Sequence, residues 1–170
     1  MPNFNPAELE SQRLKLGPGI DTRMPWNVFA ASYRMTENYY SDISVLTTAA
    51  SPVTLFTVTG LVEAKIVGVG SALTSTSDTG TLAVGVTGAT TLFLGTTTIN
   101  QTNFPTGGAV WVDTSPTLHG EALVSANLTG ALIDSNVILT IATNSMLTGS
   151  LRFCCMWRPW SSDGALVSAR

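Results

Sequence analysis

Val137-Ile138-Leu139-Thr140-Ile141-Ala142, then Asn144-Ser145, then Ser150-Leu151-Arg152-Phe153-Cys154-Cys155-Met156-Trp157 is the stretch that decides the fold. Its apolar period is two. Side chains of an extended strand alternate between faces, so Val137, Leu139 and Ile141 share one face, and Leu151, Phe153 and Cys155 share one face of the next run. With Asn144-Ser145 as the turn, the two runs are expected to pair as a hairpin.

The same alternation recurs upstream. Strands are expected over residues 43–47, 54–59, 61–69, 80–87, 91–94, 109–112, 121–124, 137–143 and 150–157, with Gly, Pro, Asn, Asp and Ser clusters between them. Eight or nine short strands with no helix among them predict an all-β sandwich or barrel. A second hairpin is expected where residues 61–69 return through Ser75-Thr76-Ser77-Asp78 onto Leu82, Val84 and Val86, and both pairs would line the inner faces of two packed sheets. Gly68, Gly70, Gly85 and Gly88 fall in or beside strands, where glycine marks a tight bend in preference to ligand approach.

Ahead of the β region lies the one good helix signature. Asn5 can cap, Pro6 suits the first helical position, Glu8 completes a capping-box-like pair, and Gly17-Pro18 supplies the stop, giving a helix over roughly residues 6–16. Its apolar residues Leu9, Leu14 and Leu16 make no wide stripe, so it belongs on the surface of this chain or on a neighbour. Residues 18–45 read as an extended arm whose aromatics, Trp26, Phe29, Tyr33, Tyr39 and Tyr40, can lie across a partner, with a loop-and-strand segment folded onto its own sheet as the alternative. The domain reading is therefore residues 1–45 as helix and arm, and residues 46–170 as the sandwich. At the other end, Trp157-Arg158-Pro159-Trp160 marks where the last strand leaves the sheet, because proline removes a ladder donor. Trp157, Arg158 and Trp160 are read as anchors in a subunit interface, with core packing as the alternative for Trp157.

Composition narrows the function. The chain has 170 residues, of which 44% are hydrophobic and only 11% charged, against about 25% charged in an average domain. Its 25 threonines and 15 glycines carry much of the polar and turn chemistry. Nine of the nineteen charges precede residue 46, and residues 46–150 hold only Glu63, Lys65, Asp78, Asp113, Glu121 and Asp134. A sandwich with so few charges is expected to be covered by neighbouring subunits. A net charge of −3 removes the basic footprint that nucleic-acid binding needs. No apolar run approaches the roughly 18 residues of a spanning helix, and the first residues lack a basic segment followed by an apolar one. Synthesis and folding in the cytoplasm, with no membrane partner, are expected.

The catalytic inventory is short. His119 is the single histidine and sits in a loop-like setting, no G-x-S-x-G elbow exists, and the carboxylates are too scattered to form a reacting pair. Asp78 among Ser75, Thr76, Ser77 and Thr79 is the nearest approach to a calcium loop, and a weak one. Adjacent Cys154 and Cys155 point to opposite faces of a strand and make neither a staple nor a metal site. We expect no catalytic residue, no metal and no cofactor. A contrasting reading is a carbohydrate-binding sandwich, with Trp111 as platform beside Asn103, Asp113 and Thr114.

Residues 79–86 (TGTLAVGV), 109–113 (AVWVD), 136–141 (NVILTI) and the ending GSLRF through WRP at 149–159 resemble small virion proteins of tailed bacteriophages. The closest class is the capsid decoration, or cement, proteins and related head-fibre bases. The resemblance implies a jelly-roll-like β-sandwich of about eight strands, a homotrimer, and attachment to the outer face of a capsid through the major capsid protein, without catalysis. The charged N-terminal arm would clasp neighbouring coat subunits. A tail or fibre-base component is the second structural reading.

Overall fold

Runs of Val, Ile, Leu and Thr become strands wherever one face can be buried. The computed structural model describes residues 33–112, 116–118 and 130–170, which hold eleven strands. They are β1 (Arg34–Tyr40), β2 (Val53–Thr59), β3 (Val62–Ser75), β4 (Thr81–Val86), β5 (Ala89–Thr98), β6 (Ala109–Trp111), β7 (Pro116–Leu118), β8 (Ala131–Ile133), β9 (Val137–Ala142), β10 (Met146–Pro159) and β11 (Ala165–Ser168). Two single-turn 3-10 helices, Thr48–Ala50 and Thr76–Asp78, are the only helical turns among the described residues. The expected helix at residues 6–16, the strand at 121–124, Trp26, Phe29, Asp113, Thr114 and His119 lie outside the described residues.

All pairing is antiparallel and forms two sheets. The first runs β1-β10-β3-β6-β7, with β8 also beside β3; the second runs β11-β2-β9-β4-β5. Their inner faces share one core. The first sheet contributes Val62, Ala64, Ile66, Trp111, Leu151, Phe153, Cys155 and Trp157, and the second Leu55, Phe56, Leu82, Val84, Leu94, Val137, Leu139 and Ile141. The face assignments of the deciding stretch therefore hold, with Leu139 and Phe153 both fully enclosed.

Neither expected hairpin forms. β9 and β10 lie in different sheets, as do β3 and β4. The turns explain why: backbone groups that a hairpin would keep for itself are taken by other segments. The Met146 amide donates to Leu46 and the Thr76 amide to Ser145, so the chain is drawn across the rim of the sandwich at both turns. At the second crossing, the buried Ser75 hydroxyl donates to the Ile99 carbonyl at 2.9 Å and accepts from the Gly80 amide at 2.9 Å. Consecutive strands pair at β4–β5, where Val86 meets Ala89 around Thr87-Gly88, and at β6–β7, where Trp111 meets Pro116.

Three further segments differ from the sequence reading. Arg34–Tyr40, placed in the arm, follows the alternative of a strand on its own sheet and is a full partner of β10 from Arg34↔Trp157 to Tyr40↔Leu151. The expected strand at 43–47 is a turn, because the Asp42 carboxylate accepts from the Ser44 amide at 2.8 Å and the Leu46 amide donates to Ile43. Ile43 and Leu46, three residues apart, then both enter the core. The last ten residues, beyond the exit expected for the last strand, contain a further strand, β11, whose Leu166 is buried and pairs with Val58.

Gly85 is required by close packing. A Cβ there would run into the Ala89 carbonyl and the Thr90 backbone, neither of which can swing aside as a side chain would. Gly85→Ala is expected to lower stability by about 2–3 kcal/mol, the upper part of the overpacking range. A urea titration should show a lower midpoint with an unchanged slope.

Candidate functional site

The register of β1, β10 and β3 lays out the solvent face of the first sheet row by row. At one end Arg158 of β10 sits between Glu63 of β3 and the residue just before β1, Tyr33; Leu132 of β8 extends the row beyond Glu63. Met35, Met156 and Lys65 form the next row, then Glu37, Cys154 and Val67, then Tyr39, Arg152, Val69 and Val110. Tyr33, Met35, Tyr39, Val69, Leu132 and Met156 are all exposed here, and Met35 reaches 65%. Of the ten large hydrophobics exposed among the described residues, six stand on this one face. Clustered apolar exposure of this kind marks an interaction surface, whereas scattered single residues do not.

Cations rest on the aromatic rings and stiffen the face. Lys65 and Arg158 each lie over Tyr33, at 4.9 and 5.0 Å, and Arg152 lies over Tyr39 at 5.0 Å. Such stacking orders long side chains before any partner arrives. Glu63 is the best-held acid. Its carboxylate accepts from the Tyr33 hydroxyl at 2.6 Å and from two nitrogens of Arg158, Nε at 2.6 Å and a terminal nitrogen at 2.5 Å. Burial pushes the Glu63 carboxyl up, but the Tyr33 and Arg158 hydrogen bonds and the charges of Arg158 and Lys65 outweigh it and hold the group below its ordinary value of 4.5.

A carboxyl depressed in the folded chain contributes stability that is complete above its unfolded value and is lost as pH falls through the folded one. Glu63→Gln should therefore cost about 1 kcal/mol at neutral pH. Thermal melts should show that deficit shrinking below pH 4.5, where the parent chain loses the same contribution. A deficit constant down to acid pH would contradict the assignment.

The sequence-read interface residues divide between surface and core. Tyr33, Tyr39 and Arg158 belong to the face just described. Tyr40 and Trp157 do not: they are only 3% and 4% exposed, because their positions in β1 and β10 point inward. Trp157 donates its indole N–H to the Thr36 hydroxyl at 3.0 Å, and Tyr40 is covered by the Arg170 guanidinium at 4.4 Å. Trp160 is partly buried just beyond β10, with its amide donating to Leu61. β10 ends at Pro159, where the strand exit was expected, but it is not the last strand, since β11 follows. The face also includes Met35, Met156, Val69, Leu132 and Arg152, which the sequence reading missed. Their only signal is register across strands that are distant in sequence.

The sugar-platform reading loses its platform. Trp111 is fully buried, edge-on to Phe104 at 6.1 Å and tilted against Phe153 at 6.5 Å. Cys154 and Cys155 do take opposite faces; burial raises both thiols, Cys155 up to about 12, so neither is a ready nucleophile. Among the described residues no cluster of His, Cys, Asp and Glu is placed to hold a metal ion. No described helix is long and apolar enough to cross a membrane.

The described residues thus define an all-β protein of two antiparallel sheets with one open aromatic, cation-bearing face. No known protein family and no curated protein matches the chain. Among solved structures, it is similar to a chain of the cyanophage Pam1 capsid asymmetric unit, at 15% identity and a TM-score of 0.43, over 75% of this chain and 85% of that one. A likeness of that depth does not extend to function.

Proposed function

We propose that this chain is a structural protein of a phage virion that binds the outer capsid surface and stabilises it by bridging coat subunits as a homotrimer, without catalysis. The observation that carries the reading is the solvent face of the first sheet. It is built on long paired strands and concentrates exposed Tyr and Met beside ordered cations, the residue types that dominate contact surfaces.

Two further features support it. Set aside the short strands β7, β8 and β11, and the sheets read β1-β10-β3-β6 and β2-β9-β4-β5. We read eight strands in that order as the two Greek keys of a jelly roll, a fold common in capsid and lectin domains. The low charge of residues 46–150 also suits a sandwich that spends its working life against neighbours. Avidity across a trimer would multiply a modest contact at each subunit into tight retention.

Sedimentation tests the reading. The purified chain should run at three times its 17.9 kDa mass and co-pellet with expanded capsid shells. A dilute monomer that stays in the supernatant would overturn it.

A further inference from the structure

The two ends of the open face are chemically unequal. At the Glu63 end the acid and its arginine are mutually satisfied and only 13% and 12% exposed, with the Tyr33 hydroxyl closing the third side. At the other end Arg152 meets Glu37 at 3.6 Å, and both side chains are 47% exposed. An exposed pair at that distance is easily exchanged for another carboxylate. A shallow depression of about 460 Å³ adjoins Arg152, with Tyr39 and Val69 on its walls and the glycines of the 105–108 loop at its side. A Cβ on Gly107 would meet nothing within 4 Å, so space here is open.

Charge is segregated in the same sense. On the face, Lys65, Arg152 and Arg158 outnumber Glu37 and Glu63. Off it, the described residues carry Asp42, Asp78, Asp134 and Asp163 against Arg34 and Arg170. Packing this face against the same face of a second copy would bring excess cations together, whereas an acidic partner complements them. We infer that the Arg152 depression seats a carboxylate side chain of a partner protein segment, flanked by apolar residues that cover Tyr39, Val69 and Met156. The guanidinium, already stacked on Tyr39, exchanges its loose contact with Glu37 for a charge-assisted pair with the partner acid. The inference deepens the docking reading and rests on the same face.

Two synthetic nine-residue peptides test it, Thr-Val-Thr-Leu-X-Leu-Thr-Val-Thr with X either Glu or Lys and both ends blocked, titrated into the full chain labelled for NMR. The Glu peptide should shift the amides of Tyr39, Val69, Gly108 and Arg152, and bind at least tenfold more tightly than the Lys peptide. Arg152→Glu should invert that preference, and Arg152→Gln should abolish it while the remaining spectrum is unchanged. Equal shifts from both peptides, no shift from either, or a preference unaltered in Arg152→Glu would overturn the inference. Capsid co-pelleting separates it from the docking reading. Shells that retain parent and Arg152→Glu alike would sink the carboxylate seat alone; shells that retain neither, beside an intact Glu-peptide preference, would sink the capsid role alone.

Discussion

Replacing Trp111, the largest fully buried side chain among the described residues, by alanine is expected to lower the unfolding free energy by about 3–5 kcal/mol. The ring is fully buried between the sheets and is gripped from three sides. Phe104 meets it edge-on, Phe153 lies tilted beside it, and Gly68 of β3 allows its approach: a Cβ on Gly68 would stand 3.1 Å from the indole. Removing the ring empties a volume that these rigid neighbours cannot refill, so loss of contacts adds to lost transfer energy. Chemical denaturation should report the drop directly. Leu132→Ala, at a half-exposed position of the outer face, should change stability by under about 0.5 kcal/mol in the same assay.

The second large effect concerns binding. Met35 and Met156 pair directly across β1 and β10 at the centre of the open face. Changing both to glutamate should weaken capsid binding by about 100-fold or more, because central apolar anchors each carry about 2 kcal/mol or more of a contact and two buried charges would add a desolvation cost. Both side chains are exposed in the free chain, so melting temperature and oligomeric mass should stay close to the parent values. Co-pelleting across a concentration series measures the shift. Retention equal to the parent would place the contact elsewhere on the sandwich.

What the sequence disclosed follows from what period two encodes. Alternation states which side chains share a face, and the inward sets Val137-Leu139-Ile141 and Leu151-Phe153-Cys155 were legible at once. It does not state the neighbour. Paired residues of β3 and β10 lie 71 to 97 positions apart in the chain, joined by crossings whose turn amides bond to third segments. The arm reading was preferred over a strand for β1 because its pattern is inverted: Asn38 faces inward, donating to the Leu55 carbonyl at 2.8 Å, while Met35 and Tyr39 face solvent. The same inversion hid the candidate site. An apolar residue that alternates in a strand is ordinarily read as core, and only the register of three strands reveals that Met35, Met156 and Val69 share an outer surface. Of the neighbouring aromatics read as contacts, parity alone separates the exposed Tyr39 from the buried Tyr40.

The low charge of the chain also gains a location among the described residues. Cations in the described residues gather on or beside the first sheet, each stacked on a ring, while most acids occupy the connections between strands. The open face is thereby the place where a partner would meet most apolar surface with least competing charge of its own sign.

A single-particle reconstruction of capsid shells incubated with this chain tests the docking account most directly. The account predicts density on the outer shell in which the β1–β10–β3 face, with Tyr39, Met156 and Arg152, lies against coat protein. Shells bare of added density, or a bound sandwich whose β1–β10–β3 face points to solvent, would contradict it.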